Sequence, residues 1–374
     1  MCIEISEEVV DAAEHNDSKA ISMLEKLALA IKYQKHLIFA ELSLLDRILN
    51  LVNLDPMSKS QYLKIKNRYS EIGQVCSLLT FKALVLISGN NYRHATGIVI
   101  NAANSERLEV YEECHLLTEN LIDGEFFEYL KDRYIISRGT SWPICYMPQM
   151  GGGSTMAKVY QMEILRGQHF CLSILDSDKK WPTAQKGDTW KLIRDVDKDC
   201  YYGDGKGSDG CYAYNCSYYA MEELRELENL IPIDVLKSMP SLKNNQLLSM
   251  DIDLSYHDMK SGLLIRTLVE GDYQNYLHTV YNEFPDIIAD IDDYVAYRKT
   301  FHAKDKEGYE NACGRAKLSI GLGPKIMEHV LTDASNELRN LDFTKLSLEQ
   351  QHEWTNIGRK IFEWCCSFDG GVVS

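Results

Sequence analysis

The sequence predicts an α/β fold in which a small parallel sheet flanked by helices lies between two all-α regions. Between residues 111 and 175, short apolar runs alternate with stretches of helical spacing, in the order strand, helix, strand, helix, strand. This order is typical of βαβ units, which build a parallel sheet. Outside it, apolar residues recur mainly at helical spacing. We therefore divide the chain into an N-terminal helical region (1–110), an α/β region (111–240) and a C-terminal, mainly helical region (241–374).

The N-terminal region is expected to contain helices only. Leu24, Leu27 and Ile31 recur at the spacing that the buried face of a helix requires. The apolar stretch 75–88 is too short for a membrane span and contains a lysine, so we interpret it as a buried helix. Residues 1–110 are therefore expected to be all-helical.

The α/β region contains three predicted strands. Apolar runs at 114–118, 144–147 and 170–175 have the length of buried strands. The polar stretch 179–217, punctuated by glycines, predicts a long loop or a small insertion. A helix is then expected from about residue 219 to 230.

The sequence carries no sign of a membrane or of secretion. No stretch of about 18 uncharged apolar residues is present. Residues 1–10 contain acids where a signal peptide has a basic region. The 11 cysteines are scattered without a CxxC pair, so neither a disulfide framework nor a structural zinc site is expected. We expect a cytoplasmic protein with no membrane partner.

Carboxylates follow two of the predicted strands at their carboxyl ends. Glu119 ends the first strand and Asp123 lies four residues on, while Asp176 and Asp178 follow the third strand. The carboxyl ends of parallel strands form one edge of a sheet, where active sites of α/β proteins lie. Several carboxylates with open water positions suit Mg²⁺ (or Mn²⁺). The pattern predicts a metal site, although each acid alone also suits a helix N-cap or a solvated loop.

Residues 111–263 resemble a Toprim domain, the fold of topoisomerases, primases and OLD-family nucleases. In that family a strand ends in Glu, often with an acid four residues later, a Gly-rich turn follows, and a further strand ends in DxD. The likeness extends to Toprim nucleases of bacterial anti-phage defence, in which DxD is often followed by Lys and a later E-x-E-N motif supplies another acid. The resemblance is carried by LLTENLIDGEFFEYL, MGGGSTM, CLSILDSDKKWP and MEELRELENLIP.

The resemblance implies a role for particular residues. Lys179 follows the DxD motif, and the last acid would be Glu222, Glu226 or Glu228, a choice that the sequence leaves open. The segment YHDMKSGL at 256–263 is similar, more weakly, to a Lys-Gly segment of such proteins. Asn120 stands where the family commonly has glycine. The implied catalytic residues are Glu119, Asp123, Asp176, Asp178, Lys179 and Glu228, with Glu226 as a further metal ligand.

The resemblance implies a Mg²⁺-dependent endonuclease. It would hydrolyse phosphodiester bonds of DNA or RNA, with transfer RNA among the candidates, as an effector of prokaryotic anti-phage defence. One metal ion would activate water and another would stabilise the leaving oxygen, while Lys179 would offset charge on the phosphate. Cleavage is expected to be lost in Asp176→Ala and in Glu119→Ala.

Two other classes of function are open. The first is a non-catalytic Toprim-fold subunit that docks on an ATPase in trans, since OLD-family enzymes join both domains and this chain has no Walker motif. The turn at 151–155 lacks the Lys of such a motif, so it predicts either a tight turn or a phosphate cradle. The second is primase- or topoisomerase-like strand chemistry. The chain lacks the zinc-binding cysteines usual in bacterial primases.

The charge of the chain bears on its partners. It has 40 Lys and Arg against 55 Asp and Glu, a net charge of −15, which argues against coating nucleic acid by bulk positive charge. Residues 221–293, which follow the DxD segment, contain 15 acids and 5 bases and so carry a net charge of −10. We therefore expect an effector that depends on metal, a partner or a trigger, and an oligomer is compatible with the sequence.

Overall fold

The computed structural model describes residues 1–202, 213–264, 268, 271–300 and 319–369. They form a mixed α/β structure in which mostly parallel sheets are flanked by helices, which confirms the α/β class. The chain divides into two compact units. The first unit contains Met1–Leu175, Thr189–Tyr219 and Thr355–Ser374, and the second contains Asp176–Asp188 and Ala220–Trp354. The division into three regions at 110 and 240 stays a prediction.

The strands and helices are as follows. The strands are β1 (Cys2–Ile5), β2 (Leu37–Phe39), β3 (Lys82–Leu86), β4 (Tyr92–His94), β5 (Gly97–Asn101), β6 (Cys114–Thr118), β7 (Tyr146–Met150), β8 (Cys171–Leu175) and β9 (Cys216–Ala220). The helices are α1 (Glu7–Glu14), α2 (Ser18–Lys32), α3 (Leu42–Asn50), α4 (Pro56–Asn67), α5 (Tyr69–Leu78), α6 (Leu121–Ser137), α7 (Met156–Arg166), α8 (Asp188–Tyr202), α9 (Ile233–Ser238), α10 (Gln246–Ser249), α11 (Asp272–Val280), α12 (Pro285–Thr300), α13 (Ile326–Asp333), α14 (Ser335–Arg339) and α15 (Leu348–Cys365).

The expectation that residues 1–110 are all-helical is wrong, because they contain a sheet of their own. Its strand order is β2-β1-β3-β5-β4, and its pairs are parallel except for β4 with β5. The predicted buried helix over 75–88 is wrong as well, since α5 ends at Leu78 and β3 begins at Lys82. Short, fully buried strands such as β5 lack the alternation of polar and apolar residues that would separate them from helix.

The second sheet confirms the predicted parallel core of the α/β region. Its order is β7-β6-β8-β9, and β6 pairs in parallel with both β7 and β8. Every residue of β6 and β8 is buried. The predicted strand at 144–147 lies two residues later, as Tyr146–Met150. The sheet therefore brings the carboxyl ends of β6 and β8 to one edge, as expected.

The predicted helix over 219–230 is wrong. β9 continues to Ala220, and a 3-10 helix then covers only Leu227–Leu230. The stretch predicted as a loop, 179–217, includes the described helix α8, and its residues 203–212 lie outside the described part.

In the second unit, an apolar core anchors the chain that follows the DxD segment. Met250, Leu263, Leu268 and residues of α11 and α12 form this core. Trp181 packs against it, with its ring stacked on Tyr273 at a centroid distance of 5.5 Å. The segment after Asp178 is thereby fixed within this unit.

Among the described residues, no helix has both the length and the apolar character needed to cross a membrane.

Candidate functional site

Residues 176–178 are held by hydrogen bonds to a neighbouring segment of the second unit. The amides of Ser177 and Asp178 both donate to the carbonyl of Arg225 at 2.9 Å. The Ser177 hydroxyl donates to the carbonyl of Leu224 at 2.6 Å, and the Ser177 carbonyl accepts from the amide of Gly187 at 2.8 Å. These bonds hold residues 176–178 against the 224–225 segment.

Asp178 adopts a left-handed backbone conformation. Its φ is +55°, a region that Asp and Asn tolerate better than most residues. Gly187 lies directly against it, and a Cβ atom at position 187 would collide with the Asp178 carboxylate. Because the side chain of Asp178 fills that space, glycine is required at 187 for the loop to close.

The E-x-E-N motif is fixed by its asparagine and by Asp176. Asp176 Oδ1 accepts from the amide of Leu227 at 2.9 Å, which caps the 3-10 helix. Asn229 Oδ1 accepts from the amide of Glu226 at 2.8 Å. The Asn229 amide group donates to the carbonyls of Leu254 and His257 at 2.6 and 3.1 Å. The motif is therefore positioned between the DxD segment and residues 254–257.

Glu226 and Glu228 are the buried acids of the motif, at 7% and 2% exposure. Glu226 Oε1 accepts from the amide of Met259 at 2.6 Å, and Glu228 Oε1 is paired with Lys260 Nζ at 2.9 Å. Glu228 Oε2 is buried and has no hydrogen-bond partner among the described residues. Glu222, in contrast, lies at the surface in an ion pair with Lys186. Of the three acids that the sequence left open, Glu226 and Glu228 share a buried site and Glu222 does not.

Lys260 is the counter-charge of the surrounding acids. Burial alone would lower its pKa, yet Glu228 and Glu226 hold the pKa well above the ordinary value, with a contribution from Asp176. Burial raises the pKa of Asp178, which Arg225 and Lys260 oppose. We call Asp176, Asp178, Glu226 and Glu228 with Lys260 the acidic cluster.

The acidic cluster contains more acids than cations. Burial and the neighbouring Glu228 raise the pKa of Glu226 to about 8, so this carboxyl holds a proton at pH 7. Arg225 is a second cation near Asp178, and among the described residues no three of these acids place one ligand atom each within 4.8 Å of one another. Carboxylate oxygens are the ligands that Mg²⁺ prefers. The unpartnered Glu228 Oε2 supplies a lone pair for such an ion.

The ionisation of Glu226 predicts a pH effect on stability without metal. The folded-state pKa of about 8 lies above the ordinary 4.5, so its contribution to stability is greatest below pH 4.5 and is lost as pH rises toward 8. Glu226→Gln keeps the acceptor for Met259 and removes this loss. In EDTA, the variant should gain a few kcal/mol relative to the wild type between pH 5 and pH 8, on the order of a 1.4 kcal/mol change per pKa unit. Urea unfolding at both pH values measures it.

The matched control for this prediction is Glu125→Gln, since Glu125 is an exposed acid in α6. Its stability difference from wild type should stay the same at pH 5 and pH 8. An equal pH dependence in Glu226→Gln and in the wild type would mean that Glu226 is ionised in the folded protein at pH 7.

Lys179 does not point toward the acids in this structure. Its ammonium donates to the carbonyl of Glu222 at 2.7 Å and lies 5.9 Å from the ring centre of Tyr256. Burial lowers its pKa. The catalytic role that the resemblance implies for Lys179 stays a prediction. Lys260, which belongs to the segment at 256–263, is the lysine that pairs with Glu228.

The first unit places Glu119 and Asp123 around the start of α6. Glu119 is half-buried directly after β6. Asp123 Oδ2 accepts from the amide of Asn120 at 2.9 Å and completes a capping box. Asn120 has a φ of −129°, an extended conformation open to any residue, so the glycine common in the family is not needed here. Asp123 thus serves as a cap, and metal binding by Glu119 and Asp123 stays a prediction.

The glycine-rich turn supports the end of β6. The amide of Gly151 donates to the carbonyl of Thr118 at 2.7 Å, and the amide of Gly152 donates to the carbonyl of Glu119 at 3.1 Å. Gly152 has a φ of +67° and Gly153 a φ of +40°, a region that favours glycine. Because both amides already donate to backbone carbonyls, residues 151–155 form a tight turn, and these two amides are not available to bind a phosphate.

A small pocket of the second unit adjoins the acidic cluster. It combines cationic and aromatic side chains with an acid. Arg225 Nη2 lies 3.3 Å from Asp258 Oδ2 in this pocket, and Tyr256 packs edge-on against Tyr276. Its lining includes Lys180, Arg225, Tyr256, Asp258, Tyr273 and Tyr276. The pocket has a volume of about 20 Å³, which is room for about one water molecule.

No family model, curated protein or solved structure matches this chain. Its function is therefore argued from the chemistry of the acidic cluster.

Proposed function

We propose that this protein is a metal-dependent nuclease whose acidic cluster holds Mg²⁺ or Mn²⁺. The observation that carries the proposal is the buried, unpartnered Oε2 of Glu228, which lies among acids that outnumber their one lysine. A buried carboxylate without a partner is costly unless a cation or hydrogen-bond donor offsets it. A bound divalent ion would supply that charge and would polarise a phosphate oxygen or a water molecule.

The residues of the second unit have distinct parts in this proposal. Asp176, Asp178 and Glu228 would hold the ion, and Glu226 would give up its proton as the ion binds. Lys260, which pairs with Glu228, would offset charge that develops on the scissile phosphate.

The resemblance adds Glu119, Asp123 and Lys179 to this proposal. Glu119 follows β6, which pairs in parallel with β8. Glu119→Gln tests its part: it keeps the side-chain length and removes the charge. Loss of cleavage in this variant supports the Toprim assignment, and full activity removes Glu119 from the mechanism while leaving the acidic cluster in place.

A cleavage assay tests the proposed activity. Supercoiled plasmid and total RNA are incubated with the protein in Mg²⁺, in Mn²⁺ and in EDTA. We expect one of the two substrates to be cut in metal and left intact in EDTA, and cutting to disappear in Asp178→Asn, which retains a side chain tolerant of the left-handed backbone. Cleavage that persists in EDTA, or in Asp178→Asn, would contradict the proposal.

The charge of residues 221–293 favours a second candidate. With 15 acids against 5 bases, this segment repels nucleic acid unless metal or a basic partner intervenes. A Toprim-fold subunit that docks on an ATPase in trans would suit such a surface, with cytoplasmic anti-phage defence as the setting. Co-purification with an ATPase, together with metal-loaded protein that cuts neither substrate, would favour this candidate.

A further inference from the structure

A second group of potential metal ligands lies in the first unit. His115 of β6, Glu163 of α7 and His169, just before β8, place one nitrogen or oxygen atom each within 4.8 Å of one another. His115 Nδ1 is 3.0 Å from Glu163 Oε2, and His169 Nδ1 is 3.9 Å from the same oxygen. We call these three residues the His–Glu–His cluster.

His169 supplies the unpartnered nitrogen of the His–Glu–His cluster. Its Nδ1 is buried with no hydrogen-bond partner among the described residues. His115 Nδ1 lies 3.0 Å from Glu163 Oε2 and 2.8 Å from Gln149 Nε2. A cation between these atoms would be a partner for His169 Nδ1 and for the Glu163 carboxylate.

The burial of Glu163 also calls for a cation. This carboxylate is only 2% exposed, while Met162 and Leu165 on the same helix are 47% and 54% exposed. An amphipathic helix would bury the methionine and the leucine in preference to the acid. On α7 the acid is buried and the apolar residues are exposed, the reverse of the usual pattern. Positions that depart from the usual pattern are more often functional than structural.

A further carboxylate lies near the His–Glu–His cluster. Glu109 Oε2 is 3.7 Å from His169 Nε2, beyond hydrogen-bond distance. Neutral imidazole and carboxylate are the forms in which these side chains bind a metal ion, so metal binding should weaken as pH falls.

We propose that the His–Glu–His cluster binds one divalent transition-metal ion, Zn²⁺ in preference to Mg²⁺. His115 Nδ1, His169 Nδ1 and Glu163 Oε2 are the ligands, and water occupies the fourth position. Bonds of 2.0–2.1 Å in a tetrahedron set ligand atoms about 3.3 Å apart, and the observed 3.0 and 3.9 Å bracket that distance. Imidazole ligands favour zinc over magnesium. This site uses no cysteine, which explains why cysteine spacing in the sequence did not predict it.

The His–Glu–His cluster and Glu119 lie at opposite ends of the strands of the second sheet. His115 is the second residue of β6, and His169 precedes β8, so this site lies at the amino ends of the two strands. Glu119 follows the carboxyl end of β6, at the opposite edge of the same sheet. The zinc would join β6, α7 and the segment before β8.

Zinc binding to the full chain tests the proposal. Protein treated with chelator and dialysed is titrated with ZnSO₄ by calorimetry, and bound zinc per chain is measured by mass spectrometry. We expect one tightly bound Zn²⁺ in the wild type and in Asp176→Asn, with affinity weakened by more than about 100-fold in His169→Gln and in Glu163→Gln, since even outer-shell partners are worth 10- to 100-fold. His278→Gln is the matched control, because His278 pairs with one carboxylate, Asp292, at 2.7 Å.

The 11 cysteines require a measurement that identifies the ligands. Zinc X-ray absorption of the wild type should show a shell of nitrogen and oxygen at about 2.0–2.1 Å, and a sulfur shell at about 2.3 Å would overturn the proposal. This readout uses no variant, so it holds even if a substitution disturbs folding. A wild type that binds no zinc, or variants that bind it as tightly as His278→Gln does, would overturn the proposal as well.

Discussion

Asp176→Asn should abolish metal-dependent cleavage while leaving the fold intact. The asparagine oxygen still accepts from the amide of Leu227, so the cap of the 3-10 helix survives. What is lost is one negative charge of the acidic cluster. Removing one preorganised charged or polar group from an active site typically costs 100- to 1000-fold in rate. We expect a fall of about 100- to 1000-fold in the cleavage rate at saturating Mg²⁺, measured on the substrate that the wild type cuts.

The control for this prediction is Asp234→Asn. Asp234 is an exposed acid of α9, 3.8 Å from Lys345, and it lies outside the acidic cluster. Its loss changes the net charge by the same amount, so general electrostatic effects on nucleic-acid binding are matched. Asp234→Asn should cleave at the wild-type rate within about threefold, as expected for an exposed charge. Equal rates in Asp176→Asn and the wild type would remove the acidic cluster from catalysis.

Lys260→Met should cause the largest loss of stability, and Mg²⁺ should reverse part of it. The substitution keeps the apolar stem and leaves Glu228, 2% exposed, without its counter-charge. Removing one partner of a buried ion pair costs about 3–5 kcal/mol. Because 35% of the Lys260 side chain is exposed to solvent, we expect a smaller loss than this range, about 2–3 kcal/mol in EDTA. Urea unfolding in EDTA and in Mg²⁺ measures both values.

The double variant Lys260→Met/Glu228→Gln separates charge from packing. With the buried charge removed as well, most of the lost stability should return in EDTA, and Mg²⁺ should no longer stabilise the protein. A double-mutant cycle then gives the coupling between the two residues. If Lys260→Met alone is as stable as the wild type, or if Mg²⁺ stabilises the double variant equally, then Lys260 does not neutralise Glu228 in a metal site.

The parts of the fold that depend on local pattern could be predicted from the sequence. The strands β6 and β8, their parallel pairing and the acids after them follow from short apolar runs that end in polar residues. In the first sheet, β5 was missed because it is buried along its whole length, so its apolar residues do not alternate with polar ones. A buried strand and a segment of buried helix then have the same pattern.

The choice among the acids of the E-x-E-N region depends on tertiary contacts. Glu222, Glu226 and Glu228 are chemically alike, and only burial against residues 258–260 separates the last two from the first. Their position follows from Asn229, which binds the carbonyls of residues 254 and 257. Hydrogen bonds between segments about 30 residues apart do not affect the local spacing of apolar residues. The spacing therefore predicted a helix over residues 219–230 instead.

One feature of helix α7 indicates the His–Glu–His cluster. Its members come from three different elements, so their spacing resembles no metal-binding motif. On α7, however, the apolar residues Met162 and Leu165 are exposed, and Glu163 is buried instead. A helix whose buried face contains an unexplained acid is a reason to search nearby strands for histidines.

Manganese binding followed by electron paramagnetic resonance tests the central claim most directly. Bound Mn²⁺ loses the sharp signal of the free ion, so occupancy can be counted without a substrate. The His169→Gln background removes the second proposed site. In that background we predict stoichiometric Mn²⁺ binding that weakens by more than about 100-fold when Glu228→Gln and Asp176→Asn are added, because two ligands are lost. Equal Mn²⁺ affinity with and without these two substitutions would contradict the assignment of the acidic cluster as a metal site.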